Sequence, residues 1–183
     1  MTAAIILAAG ASKRLGQPKQ LVVLGGETLM ERAVRIAREA GCAPVIVVLG
    51  ATAAQIRECC NLAGAMVAVN ESWDEGMASS VRVGVSWAAE ASDAILMTCD
   101  QPAVTAEHLR KLMDTGELTA SAYAGRRGVP AYFPAESFAE LQELTGDAGA
   151  RELLRAAASI ELPLGELDVD TPEELEQARR LFG

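Results

Sequence analysis

The stretch Ala3-Ala4-Ile5-Ile6-Leu7-Ala8-Ala9-Gly10-Ala11-Ser12-Lys13-Arg14-Leu15-Gly16-Gln17-Pro18-Lys19 decides the fold. Ala3–Ala8 is short, uncharged and apolar, the signature of a strand buried on both faces. A glycine-rich turn follows. Its small residues let backbone N–H groups approach an anion, while Arg14 supplies a planar guanidinium fork and Lys19 a mobile ammonium. Turns beyond the carboxyl end of a strand are where α/β sheets bind ligands. An ordinary βα loop carrying surface cations would leave the same trace. The spacing fits neither G-x-x-x-x-G-K-[ST] nor G-x-G-x-x-G, because Gly10 and Gly16 lie too far apart and Lys19 follows a proline. Nicotinamide-dependent oxidoreductase chemistry therefore finds no dinucleotide fingerprint.

Outward from this turn, short apolar runs alternate with helical patterns. Val45–Leu49, Met66–Val69 and Ala94–Met97 read as further buried strands. Glu27–Ala40 places Leu29, Ala33, Ile36 and Ala37 on one helical face and stops at Gly41. Thr52–Cys60, Met77–Ala89 and Thr105–Thr115 are further helices, the last with Thr105 as N-cap. Strand alternating with helix implies parallel crossovers and a three-layer α/β domain with a mostly parallel central sheet. Beyond Gly116 the order loosens: Thr119–Tyr123 and Val129–Phe133 read as strands, Ala135–Leu144 and Ala148–Ala157 as helices. Thr171–Phe182 closes the chain as a helix opened by Thr-Pro-Glu-Glu. No repeat or linker divides the sequence, so residues 1–183 are expected to form one domain.

The 183 residues are 50% hydrophobic and 22% charged, which supports a folded core and excludes a disordered chain. A net charge of −9 argues against duplex nucleic acid or an anionic membrane as partner. Residues 1–26 contain Lys13, Arg14 and Lys19 and no acid, so the one basic island coincides with the glycine-rich turn. Without a signal-like start or a membrane-length apolar run, a soluble cytoplasmic protein is expected. Cys42, Cys59, Cys60 and Cys99 show no C-x-x-C spacing and read as buried thiols.

Other stretches offer chemistry. Met97-Thr98-Cys99-Asp100-Gln101-Pro102 ends an apolar strand in a carboxylate at the edge that carries the glycine-rich turn; Asp100 could hold Mg²⁺ together with substrate phosphates, or serve only as a turn or capping aspartate. In Leu167-Asp168-Val169-Asp170-Thr171-Pro172 a second acid is available, although Asp170 or Thr171 could simply cap the last helix. Asn70-Glu71-Ser72-Trp73-Asp74-Glu75-Gly76-Met77-Ala78-Ser79-Ser80 is a polar loop feeding a helix, where Ser79 and Ser80 could read a base edge or bond the local backbone. Arg126 and Arg127 of Gly125–Phe133, and Arg151 of Thr145–Arg151, could bind an anionic acceptor or face solvent. His108 falls mid-helix, away from these loops, and a Ser-His or Cys-His nucleophile is not expected.

Together these stretches resemble the MobA-like nucleotidyltransferases, whose L-A-A-G-x-S-x-R-x-G-x-x-K hallmark matches Leu7 through Lys19. The chain looks most similar to molybdenum cofactor cytidylyltransferases, which add N-x-x-W-x-x-G-M-x-S-S, D-Q-P, G-x-P, G-D-x-G-A-R and D-x-D-T-P. These match Asn70–Ser80, Asp100–Pro102, Gly128–Pro130, Gly146–Arg151 and Asp168–Pro172. The resemblance implies a Rossmann-like fold and an NTP bound by Leu7, Ala8, Ala9, Gly10, Ser12, Arg14, Lys19, Asn70, Ser79 and Ser80. It further implies Mg²⁺ on Asp100 and Asp170, with Asp168 a close rival of the latter, and an acceptor at Gly128, Pro130, Asp147 and Arg151. Catalysis would rest on Arg14, Lys19 and Asp100. CMP would pass from CTP to the terminal phosphate of molybdopterin, with a molybdoenzyme or chaperone as possible recipient and guanylyl or other nucleotidyl transfer as the alternative. Val129 stands where relatives often have asparagine, and Thr98-Cys99 replaces Leu-Ala before Asp100.

Overall fold

The computed structural model describes residues 1–62, 64–147 and 149–183. In chain order it contains β1 (Thr2–Ala8), β2 (Val23–Leu24), β3 (Glu27–Thr28), α1 (Leu29–Glu39), β4 (Val45–Leu49), α2 (Ala53–Cys59), β5 (Met66–Val69) and α3 (Met77–Trp87). There follow β6 (Asp93–Thr98), α4 (Ala106–Asp114), β7 (Thr119–Tyr123), β8 (Arg126–Pro134), α5 (Phe138–Gln142), α6 (Arg151–Leu154), β9 (Ala158–Glu161) and α7 (Pro172–Phe182). Seven strands form one sheet in the order β5-β4-β1-β6-β8-β7-β9, with β2 and β3 a separate hairpin. β5, β4, β1 and β6 are parallel, β8 runs antiparallel to both β6 and β7, and β9 pairs parallel with β7. The expected α/β fold with a mostly parallel central sheet is the one observed.

Strand β1 shows why the architecture has three layers. Alternate side chains of a strand point to opposite faces. Ala4, Ile6 and Ala8 accordingly join Met30, Ala33, Val34 and Ala37 of α1 and Leu109 and Leu112 of α4 in one core. Ala3, Ile5 and Leu7 join Val81 and Val85 of α3, Leu141 of α5 and Leu154 of α6 in the other. A third cluster, including Leu15, Val22, Leu24, Leu167, Val169 and Leu175, packs α7 against the hairpin beside the glycine-rich turn.

Several boundaries differ from the sequence reading for local reasons. Glu27 and Thr28 belong to β3, because Thr28 caps α1 through a reciprocal capping box with Glu31. Residues 135–137 form a 3-10 turn after Pro134, which leaves α5 only five residues long. The helix expected over 148–157 contracts to α6, and its first residue, Ala148, lies outside the described residues. The β2/β3 hairpin and β9 were not expected. Cys42, Cys60 and Cys99 are buried free thiols, but Cys59 is exposed. Among the described residues no helix is long and apolar enough to cross a membrane.

Candidate active site

The carboxyl ends of β1 and β6 lie side by side, with Leu7 in register with Thr98. This pairing brings the glycine-rich turn against Asp100. The turn is closed by its own backbone and side chains: Gly16 N–H donates to the Ser12 carbonyl (3.2 Å) and Lys19 N–H donates to Ser12 Oγ (3.1 Å). Gln20, fully buried, donates through Nε2 to the carbonyls of Ala8 (2.7 Å) and Gly10 (3.3 Å). By engaging these carbonyls Gln20 fixes the path of the turn, a role that its sequence position did not reveal.

Lys19 then reaches back across the sheet edge. Its Nζ donates to Asp100 Oδ2 (2.5 Å) and Asp170 Oδ1 (2.7 Å), and Arg14 donates to Asp170 Oδ2 (2.8 Å). Burial disfavours the ammonium, but the Asp100 charge and the bonds to both carboxylates outweigh it and raise the Lys19 pKa. Asp170 comes close because Val169 N–H donates to the Asp100 carbonyl (2.9 Å), which ties the two segments together. Thr171, not Asp170, caps α7, its side chain accepting from Glu174 N–H. Thr105 likewise caps α4, so neither aspartate is needed as a helix cap. Neighbouring Asp168 is partly buried; burial first, then the charges of Asp100 and Asp170, push its pKa up to about 7.

Two cavities meet at this charge cluster. The first, about 350 Å³, is lined by Leu7, Ala8, Ala9, Gly10, Trp73 and Ser80 among others. The second, about 240 Å³, takes Tyr123, Arg126, Gly128, Arg151, Asp168 and Asp170 into its wall. Lys19, Met77, Thr98, Asp100 and Asp147 border both. A ligand in either cavity therefore meets the same ammonium and carboxylates.

Several expected site residues lie behind the walls rather than in them. Asn70 is buried and donates to Ser79 Oγ (2.7 Å) and Ser80 Oγ (3.0 Å). Ser79 Oγ lies within bonding distance of the Ser72 and Gly76 carbonyls, so of the two serines only Ser80 reaches the first cavity. Ser12 is turned to the backbone of its own loop, and the Arg14 side chain is 71% exposed and directed to Asp170. Pro130 is buried, its carbonyl accepting from Ser121 Oγ (2.5 Å), while Gly128 in front of it lines the second cavity. The remaining candidates, Leu7, Ala8, Ala9, Gly10, Lys19, Asp100, Asp147, Arg151 and Asp170, are all brought to one cavity or the other.

The carboxylates suit a divalent cation. Asp100 Oδ1 is buried and has no hydrogen-bond partner among the described residues, which leaves a hard oxygen donor uncommitted beside the Lys19 bridge. Among the described residues no group of three or more His, Cys, Asp or Glu could hold a metal. Two aspartates are the donor set expected for an ion that completes its shell with phosphate oxygens and water.

Comparison with known proteins identifies the family. The model of the MobA-like NTP transferase domain matches residues 4–161. The chain belongs to this family. It is 32% identical to nicotine blue oxidoreductase of Paenarthrobacter nicotinovorans, over 97% of this chain and 93% of that one. It is 34% identical to a probable molybdenum cofactor guanylyltransferase of Opitutus terrae, over 57% of this chain and 50% of that one. Among solved structures, Rv0371c of Mycobacterium tuberculosis H37Rv superposes with a TM-score of 0.86 at 32% identity, covering 98% and 99% of the two chains. A structure of that protein in complex with manganese superposes at 0.82 and 30% identity, covering 98% of each chain.

Proposed function

We propose that residues 1–183 form a single-domain, cytoplasmic, Mg²⁺-dependent cytidylyltransferase acting on the molybdenum cofactor. The supporting observation is the shared wall of the two cavities: Lys19 and Asp100 border both the cavity over the glycine-rich turn, which we read as the nucleotide site, and the cavity beside Gly128 and Arg151, which we read as the acceptor site. In the proposed reaction an oxygen of the terminal phosphate of molybdopterin attacks the α-phosphorus of CTP. One P–O bond forms, the bond to the β-phosphate oxygen breaks, and its electron pair leaves with pyrophosphate. The nucleophile is already anionic, so no general base is needed and the protein's task is alignment and charge neutralisation.

Asp100 and Asp170 would hold Mg²⁺, which supplies positive charge to the phosphate oxygens. Lys19, set between the two cavities, offsets negative charge growing on the leaving pyrophosphate. Arg14 anchors Asp170 from the solvent side. Ser80 presents a hydroxyl to the first cavity, braced by Asn70 from behind. Arg126, Arg127 and Arg151 give the second cavity the cations that a phosphorylated acceptor requires. The name of the Opitutus relative favours GTP as the competing nucleotide.

The test is pyrophosphate release by purified protein with Mg²⁺ and molybdenum-loaded molybdopterin, supplying CTP, GTP, ATP and UTP separately. Turnover with CTP alone supports the proposal, and turnover with GTP alone moves it to guanylyl transfer. Silence with all four, from protein that still binds CTP, points to another phosphorylated acceptor.

A further inference from the structure

The motif Asp100-Gln101-Pro102 supplies a carboxylate to the site, but that function does not absorb its glutamine. Gln101 is 5% exposed and adjoins Asp100, so its backbone is fixed wherever Asp100 is fixed. Its Oε1 accepts from Thr98 Oγ1 (3.3 Å), while Nε2 donates to the Gly165 carbonyl (3.0 Å) and to Tyr123 Oη (3.3 Å). The Tyr123 hydroxyl in turn donates to the Val129 carbonyl (3.0 Å). One unbroken chain of hydrogen bonds therefore runs from the end of β6, beneath the second cavity, to the 126–130 segment on its far side.

Tyr123 is held on its other sides as well. The Arg126 guanidinium lies 5.2 Å from the centre of its ring, within range of a cation–π contact. A side chain at position 128 would collide with the Tyr123 hydroxyl, so Gly128 is the residue that lets the segment approach the ring. Gln101, Tyr123, Arg126, Gly128 and Val129 all line the second cavity.

We propose that Gln101 and Tyr123 are positioning residues that set the 126–130 segment, and the acceptor bound against it, at a fixed offset from Asp100. The proposal rests on the second cavity being the acceptor site. It assigns the pair to acceptor geometry and not to nucleotide binding, since neither residue borders the first cavity.

The experiment compares wild type with Tyr123→Phe and Gln101→Met, which keep bulk while removing the polar atoms, and with the double variant. Two readouts are taken: steady-state kinetics with CTP and molybdenum-loaded molybdopterin, alongside CTP affinity by calorimetry, and the rate of tryptic cleavage after Arg126 and Arg127 without any acceptor. Each single variant is expected to raise the acceptor KM about tenfold, the size of one to two net hydrogen bonds. CTP affinity should stay within about twofold. Cleavage at the exposed Arg126 and Arg127 should speed up several-fold in each, and the double variant should be no worse than the poorer single one, because both break the same chain. Wild-type cleavage rates in both variants, or a CTP affinity that falls as far as the acceptor KM rises, would overturn the assignment. A wild-type protein that binds CTP but does not turn over molybdenum-loaded molybdopterin defeats the acceptor reading instead, and the cleavage rates then decide the positioning of the segment by themselves.

Discussion

The two cavities share a wall and are built in opposite ways. The first is edged by Leu7, Ala8, Ala9 and Gly10, contiguous in sequence at the carboxyl end of β1, with Trp73 and Ser80 also in its wall. The second is shaped by long side chains, among them Tyr123, Arg126, Arg127 and Arg151, carried by the antiparallel part of the sheet and the segments after it. A wall of backbone is fixed as soon as its strands pair, whereas a wall of side chains depends on the hydrogen bonds that hold each one. In the proposed reaction the first cavity would take the triphosphate and the second the acceptor, so the part held by side chains is the part that would set acceptor choice.

The shared residues should not respect this division. Asp100→Asn keeps the shape of both cavities and removes the charge between them; pyrophosphate release is expected to fall about 10²- to 10³-fold, as for loss of a major electrostatic group. If only acceptor kinetics suffered, Asp100 would belong to one cavity alone. Lys19→Met should cost somewhat less, about 10²-fold. It also leaves Asp100, whose side chain is 9% exposed, without its cation. The variant should therefore melt at lower temperature in EDTA, and Mg²⁺ should restore more stability to it than to wild type. Equal stabilisation of both proteins by Mg²⁺ would mean that the ion binds elsewhere.

Gly76→Ala tests how the two halves are joined. Gly76 has φ of 112°, and a Cβ there would stand 2.6 Å from both the Gly146 carbonyl oxygen and Asp147 Oδ1. The backbone strain alone is worth about 1–3 kcal/mol, and the collision would push the 146–147 turn out of the wall common to both cavities. Thermal unfolding and the two KM values together check this: a variant that loses stability but keeps both KM values would show that the turn does not shape either site.

How much of this was legible in the sequence follows the same division. The Leu7–Gly10 edge of the first cavity could be read because its residues are contiguous and their types suit a tight turn after a buried strand. Val45–Leu49 and Thr119–Tyr123 fell on the expected strand boundaries, since short apolar runs between turns leave little choice. β9 was missed because it is an edge strand whose Ala-Ser-Ile-Glu sequence is largely exposed, and β2 and β3 because two-residue strands leave no periodicity. Gln20, Gln101 and Tyr123 were missed for a different reason. Their hydrogen bonds reach residues as far as 64 positions away, which no local pattern encodes. Asn70 and Ser79 were placed in the right neighbourhood, but the local hydrogen bonds usual for such residues turned them into braces behind the wall.

The smallest expected effect on turnover concerns a brace behind the second cavity. His108, 6% exposed, lies with Nε2 2.7 Å from Ser121 Oγ, and Ser121 donates to the Pro130 carbonyl. Since that carbonyl takes the serine proton, the histidine donates to Ser121 from a neutral ring. Burial, with a smaller contribution from Lys111, lowers its pKa from 6.5 to about 4. Between those values the unfolded chain binds a proton that the folded one does not, so stability is full above about pH 6.5 and declines as pH falls towards 4. The loss attributable to this one group is on the order of 2–3 kcal/mol at the low end. His108→Gln retains a donor that does not titrate and should flatten the melting temperature between pH 6.5 and 4 relative to wild type, with little change in turnover at neutral pH. An unchanged pH slope in the variant would place the acid sensitivity elsewhere.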